Sequence, residues 1–170
     1  RITLNSVCSS TGAASAAVFS LLGMNPRFQV DGGGWWSLVG DTPGEGEELS
    51  ALAYAVVDVE TTGGTPDRGH RITEVAVVEV RDGTIVQDFQ TLVNPGRSIP
   101  PRISQLTGIT EEMVAGAPFF EDVAEDLSGW LDGRVFVAHN ASFDWRFVSY
   151  QLADALGEVP ESPRLCTVQM

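Results

Sequence analysis

From residue 52 onward, apolar residues arrive in short blocks separated by polar turns, and the spacing inside each block changes along the chain. Leu52-Ala-Tyr-Ala-Val-Val-Asp-Val-Glu is an almost continuous apolar run closing on acids, which predicts a buried strand. Arg71 to Arg81, RITEVAVVEVR, predicts a second strand. Asp82-Gly83 is a tight-turn signal, so Thr84 to Val93 is expected to fold back on it as a third. Ile103 to Ala117 contains short helical turns. Over Pro118 to Leu131 the residues Phe119, Val123, Leu127, Trp130 and Leu131 recur at helical spacing and predict an amphipathic helix. Arg134-Val-Phe-Val-Ala is a fourth strand, and Asn140 is expected to cap a helix from Ala141 to about Leu156. Arg164-Leu-Cys-Thr-Val opens a fifth strand. The order βββ-α-β-α-β predicts an α/β domain with a mixed sheet. An antiparallel three-stranded meander is followed by parallel strands reached through crossovers, with flanking helices.

The front of the chain reads differently. Ser10 to Gly23 is Ala-rich with capping residues before it and a glycine at its end, which predicts a helix. Arg27-Phe-Gln-Val and Trp35-Trp-Ser-Leu-Val flank a DGGG turn and predict two short strands. Helix then hairpin is like the last helix and wing of a winged-helix module; a small packing appendage fits equally well. Adjacent Trp35 and Trp36 point opposite ways on a strand, so one is expected in a core and the other could stack on a base. GDTPGEGEELS, residues 40–50, lacks any apolar period. The expected organisation is therefore a partial winged-helix-like appendage over 1–40, a linker over 41–51 and a main domain over 52–170.

Charge narrows the function. The formal net charge is −13, and all ten basic residues are arginine. An excess of acid argues against a nonspecific grip on nucleic acid, although acids that hold metal ions invert the local sign. Arg68, Arg71, Arg97, Arg102 and Arg146 are scattered along the chain, and the pattern does not choose among them. No run of about 18 apolar residues is present, so no membrane partner is expected. Cys8 and Cys166 form no metal or disulfide framework, which fits a reducing cytoplasm, and the lack of lysine suggests a bacterial source.

The chemistry gathers at strand ends. Asp58 and Glu60 alternate onto one face with Cα atoms about 6.5–7 Å apart, so they repel and lose hydration unless a divalent cation joins them. Alone, such a pair also reads as two carboxylates fraying into solvent. Thr61-Thr62-Gly63-Gly64 adds hydroxyls and flexible backbone directly afterwards. His139-Asn140-Ala141-Ser142-Phe143-Asp144 begins where the fourth strand ends. Asp144 lies one turn into the next helix; it faces Asp58 and Glu60 if the fourth strand neighbours the first. A helix-dipole acid is the plainer account of Asp144, and a hydrogen-bonded strand-end residue that of His139. Glu74 reads as structural. Glu121-Asp-Val-Ala-Glu-Asp reads as a solvated helix face.

Together, YAVVDVETTG and FVAHNASFDWRF resemble the first and second motifs of the DEDD superfamily of 3′–5′ exonucleases, in particular the proofreading epsilon subunit of DNA polymerase III. LVNPGRSIPPRISQLTGIT is similar to that family's middle segment. The resemblance covers about residues 52–170. It implies a ribonuclease H-like fold and release of 5′-mononucleotides from a DNA 3′ end, in proofreading or repair. It also implies two Mg2+ or Mn2+ ions held by Asp58, Glu60 and Asp144. Thr61, Thr62, His139 and Asn140 match substrate-binding positions, Phe143 matches a packing position, and a polymerase subunit is an implied partner. The family's third motif supplies a base and a fourth carboxylate, and the chain ends at Met170 before it. The chain as written is therefore expected to be weakly active or inactive. His70 reads as a loop histidine rather than a replacement base. Two alternatives stay open: an exoribonuclease, since the same motifs serve RNA, and a non-catalytic nucleic-acid-binding or polymerase-associated module.

Overall fold

The apolar run that predicts the first strand of the main domain builds the centre of its sheet. The computed structural model describes residues 28–30, 36–38 and 48–169. The chain divides into two units, residues 1–42 and 43–170. In the first, β1 (Phe28–Val30) and β2 (Trp36–Leu38) pair antiparallel with Val30 opposite Trp36, the hairpin expected from the DGGG turn. The expected Ser10–Gly23 helix and Trp35 lie outside the described residues.

The second unit is a five-stranded mixed sheet flanked by helices. Its strands are β3 (Ala53–Thr61), β4 (Ile72–Arg81), β5 (Thr84–Leu92), β6 (Val135–Ala138) and β7 (Arg164–Cys166). They lie in the order β5-β4-β3-β6-β7. The three-stranded meander is antiparallel, and β3–β6 and β6–β7 are parallel. Asp82 and Gly83 make the β4–β5 turn with φ of 46° and 68°, the left-handed pair that a two-residue hairpin requires.

Along β3, Ala55, Val57 and Val59 are buried, whereas Val56 and Asp58 on the opposite face are exposed. The buried face meets Val75 and Val77 of β4 and Phe136 of β6. Two helices cover it. These are α3 (Phe120–Leu131), through Val123, Leu127 and Leu131, and α4 (Ala141–Leu156), through Phe147, Val148 and Leu152. Between β5 and α3 the short helices α1 (Pro101–Thr107) and α2 (Glu111–Val114) close a second cluster of Ile99, Ile109 and Val114.

One expected core residue is corrected. Phe119 is half exposed and Phe120 is the residue buried. Phe119 holds the N-cap with extended backbone, φ −72° and ψ 165°, and its N–H donates to Asp122 Oδ2 at 2.9 Å. The helical phase starts one residue later, and Phe120, Val123, Ala124, Leu127 and Leu131 form the stripe.

Candidate active site

Three features of the sheet place the acids. Alternation puts Asp58 and Glu60 on the face opposite the helices. A register shift between Glu60 and Thr61 sets Glu60 opposite Glu74 but Thr61 opposite Ile72, and this irregularity ends the strand and begins the loop. Parallel β6 pairs with β3 only as far as Val56 opposite Val137, then stops at Ala138. Beyond that point a side chain replaces the missing strand: Asp144 Oδ1 accepts the Val59 N–H at 3.2 Å.

That bond brings Asp144 to the strand carrying the other two acids. Asp144 is 3% exposed. Burial first, and then the charges of Asp58 and Glu60, push its carboxyl up to about 6, against the opposing pull of the Val59 N–H. Glu60 is also raised, by burial and by the charges of Asp58 and Glu74. Sequence reasoning set Glu74 aside as structural. It does accept Gln90 Nε2 at 2.8 Å, but it also faces Glu60 across the strands and adds to its charge burden. Four carboxylates thus share one electrostatic neighbourhood.

Hard oxygen donors of this kind suit magnesium or manganese, and magnesium commonly takes only one or two protein carboxylates besides substrate phosphates. The donor chemistry therefore fits a divalent ion. Among the described residues, no three His, Cys, Asp or Glu side chains stand close enough to hold one ion together.

The loop residues sit deeper than the sequence suggests. Thr62 is fully buried and Thr61 nearly so. Thr61 Oγ1 donates to Gly63 O at 2.7 Å, and Thr62 Oγ1 accepts the Arg71 N–H at 3.1 Å. At the head of α4, His139 and Asn140 are exposed. His139 Nδ1 lies 3.0 Å from Thr167 Oγ1 at the end of β7. Phe143 packs partly buried against the core, its ring 5.2 Å from that of Phe147.

Asn140 holds the N-cap position but does not cap with its side chain. Its backbone is left-handed, φ 66° and ψ 54°, whereas a capping side chain needs extended backbone. Its carbonyl accepts the Phe143 N–H, and its Oδ1 accepts from Ser142 Oγ at 3.0 Å. Asn tolerates this region and Ala does not. Asn140→Ala is therefore expected to cost about 1 kcal/mol of stability and Asn140→Gly almost nothing, measured by urea unfolding. Equal losses would show that the side chain, not the backbone, governs the position.

An exonuclease family model matches residues 55–170. The chain is similar to the 3′-5′ exonuclease DinG of Bacillus subtilis (strain 168), 44% identical over 122 residues, which is 72% of this chain and 13% of DinG. It is 38% identical over 117 residues to the DNA polymerase III PolC-type protein of Thermotoga petrophila, covering 69% of this chain and 8% of that one. Among solved structures, exonuclease X in complex with 5′ overhanging duplex DNA aligns at a TM-score of 0.53 and 36% identity. That alignment covers 67% of this chain and 59% of the other. The chain thus spans a small part of the length of these curated relatives.

Proposed function

Because the chain belongs to the RNase_T exonuclease family, we propose that residues 52–170 carry a metal-dependent 3′–5′ exonuclease site. The site would hydrolyse the terminal phosphodiester of a DNA strand and release 5′-mononucleotides, in proofreading or repair. The observation that carries the reading is Asp144. It is a buried carboxylate drawn to the acid-bearing strand by Val59 N–H, its carboxyl pushed up by burial and then by the charges of Asp58 and Glu60. A fold that needed only a hydrogen-bond acceptor there would be served by a neutral side chain. Like charges crowded beside an exposed strand end call for a cation.

Exonucleases of this kind are metal-dependent. Asp58, Glu60 and Asp144 would hold two Mg2+ or Mn2+ ions, which when bound activate water and stabilise the leaving 3′ oxygen. The chain's own residues do the rest. Asp144 is ionised above about pH 6, so its affinity for a cation rises through that pH. The Thr61–Gly64 turn offers backbone to the terminal nucleotide, because both threonine hydroxyls are engaged within the loop. His139 and Asn140 present polar side chains at the head of α4, on the strand-end side where the acids lie. The partner is a single-stranded 3′ end, and the PolC-type relative supports association with a DNA polymerase. Among the described residues no helix is long and apolar enough to cross a membrane, and the bacterial cytoplasm is the proposed location.

The test is a gel assay on 5′-labelled single-stranded DNA and RNA with Mg2+ or Mn2+, using this chain and its Asp58→Ala variant. Stepwise 3′ shortening of DNA that stops on adding chelator, and that Asp58→Ala removes, is expected. Preference for RNA would turn the reading to an exoribonuclease. Silence on both strands would leave a binding or polymerase-associated role.

A further inference from the structure

The loop joining β3 to β4 contains an unusually close contact between the Gly63 backbone and the His70 side chain. A Cβ built on Gly63 would collide with Cε1, Nδ1 and Nε2 of the His70 ring. One edge of the imidazole therefore lies against the Gly63 Cα, so a side chain at position 63 would force the ring to shift. The next glycine, Gly64, has nothing within 4 Å of the same point, so the two glycines stand there for different reasons.

The ring is also held by a hydrogen bond. Thr62 Oγ1 lies 3.2 Å from His70 Nδ1. That hydroxyl accepts the Arg71 N–H, and in the tautomer with the imidazole proton on Nε2 it donates its own proton to Nδ1. Around the ring the loop is tied at several points. Thr62 N donates to Arg71 O at 2.8 Å, Arg71 Nη1 donates to His70 O at 3.0 Å, and Arg97 Nη1 donates to Gly69 O. Of the arginines the sequence left scattered, Arg71 and Arg97 are thus brought together at Gly69 and His70.

We infer that His70 is the positioning residue for the Thr61–Gly64 turn, holding it in the shape that meets the terminal nucleotide. The inference rests on the exonuclease reading. Its physical content is that, beyond the Thr61 hydroxyl bond to Gly63 O and the paired bonds between Thr62 and Arg71, the turn rests on the imidazole. The imidazole supplies both a wall for Gly63 and an acceptor for Thr62. Without it the turn lies next to a void and Thr62 keeps a buried hydroxyl with no acceptor for its proton.

The experiment compares wild type, H70A, H70N, G63A and the H70A/G63A double variant. Each is titrated with a fluorescent single-stranded deoxyoligonucleotide ending in a 3′ hydroxyl, with Ca2+ in place of Mg2+. Amide NMR shifts of Thr61–Gly64 and the thermal midpoint are recorded for each protein. H70A and G63A are each expected to weaken oligonucleotide binding about tenfold and to move the same turn amides. The double variant is expected to be no worse than either. Midpoints should stay within about 3 °C of wild type for H70A. H70N should recover part of the affinity, because its amide oxygen can accept from Thr62. Unmoved turn amides in H70A, or undiminished binding by H70A while G63A fails, would overturn the inference. If wild type itself does not bind the oligonucleotide, the exonuclease reading falls, and the turn amides still decide whether His70 sets the loop.

Discussion

Asp144→Asn is expected to abolish metal-dependent 3′ shortening, by on the order of 10³-fold, while leaving the fold intact. The amide oxygen of Asn can still accept the Val59 N–H that Asp144 accepts now, so the contact between α4 and β3 survives. What is lost is the charge beside Asp58 and Glu60. The same substitution should change the pH dependence of stability in chelator. Burial and the two neighbouring acids push Asp144 up to about 6, above the value of about 3.9 expected in the unfolded chain. Between these values the folded state holds the proton more tightly, so wild-type stability falls as pH rises from about 4 to about 6. The Asn variant loses that contribution to the slope, and the residual slope comes from Glu60, which is also raised. Urea unfolding at pH 5 and pH 7 measures the difference. An Asn variant that retained activity would remove Asp144 from the metal-holding set.

Glu79→Ala is expected to cost about 3–5 kcal/mol of stability, without any contact with the candidate active site. Glu79 sits on the buried face of β4 at 1% exposure. Its carboxylate accepts from Arg134 Nη2 at 2.9 Å, Gln87 Nε2 at 2.6 Å and Arg81 Nε. Arg134 in turn donates to the carbonyls of Gly129 and Asp132, tying the end of α3 to the sheet. Removing the carboxylate strands a largely buried guanidinium whose Nε already lacks a partner. The bonds from Arg134 and Gln87 hold the Glu79 carboxyl down to about 2. A depressed carboxyl stabilises the fold above its unfolded value of about 4.3 and loses that contribution as pH falls toward 2. The paired replacement Glu79→Leu with Arg134→Met should be far milder than Glu79→Ala, since it removes both charges together. Chemical denaturation of the three proteins tests this, and equal losses would deny the coupling.

Much of the main domain was legible because strands and amphipathic helices write their burial into the sequence. The apolar run closing on Asp58 and Glu60, the Asp82-Gly83 turn and the apolar spacing of α3 each report a local geometry with its own period. The α3 stripe is read correctly at Val123, Leu127 and Leu131 but not at its first residue, because Phe119 and Phe120 are chemically alike and only the capping geometry separates them. Asn140 was placed at a helix start, but its left-handed backbone follows from how β6 ends, which no local pattern encodes.

The two buried-charge systems needed the tertiary structure. In RITEVAVVEVR, Glu74 and Glu79 look alike, as acids interrupting an apolar strand. Five residues apart they fall on opposite faces. Glu74 meets the candidate site, whereas Glu79 meets Arg134, which is 55 residues away in sequence. Likewise, Gly63 and Gly64 are indistinguishable in the sequence, and only the arrival of His70 gives Gly63 a reason. The sequence by itself determined which segments become strands and helices, and which acids end the central strand, because periodicity and alternation are properties of neighbouring residues. Only the tertiary structure decided which of those acids face one another and which arginine neutralises Glu79. It also decided what shapes the turn beyond Glu60. Those contacts join residues from different elements, and their energies depend on burial and distance that no stretch of sequence contains.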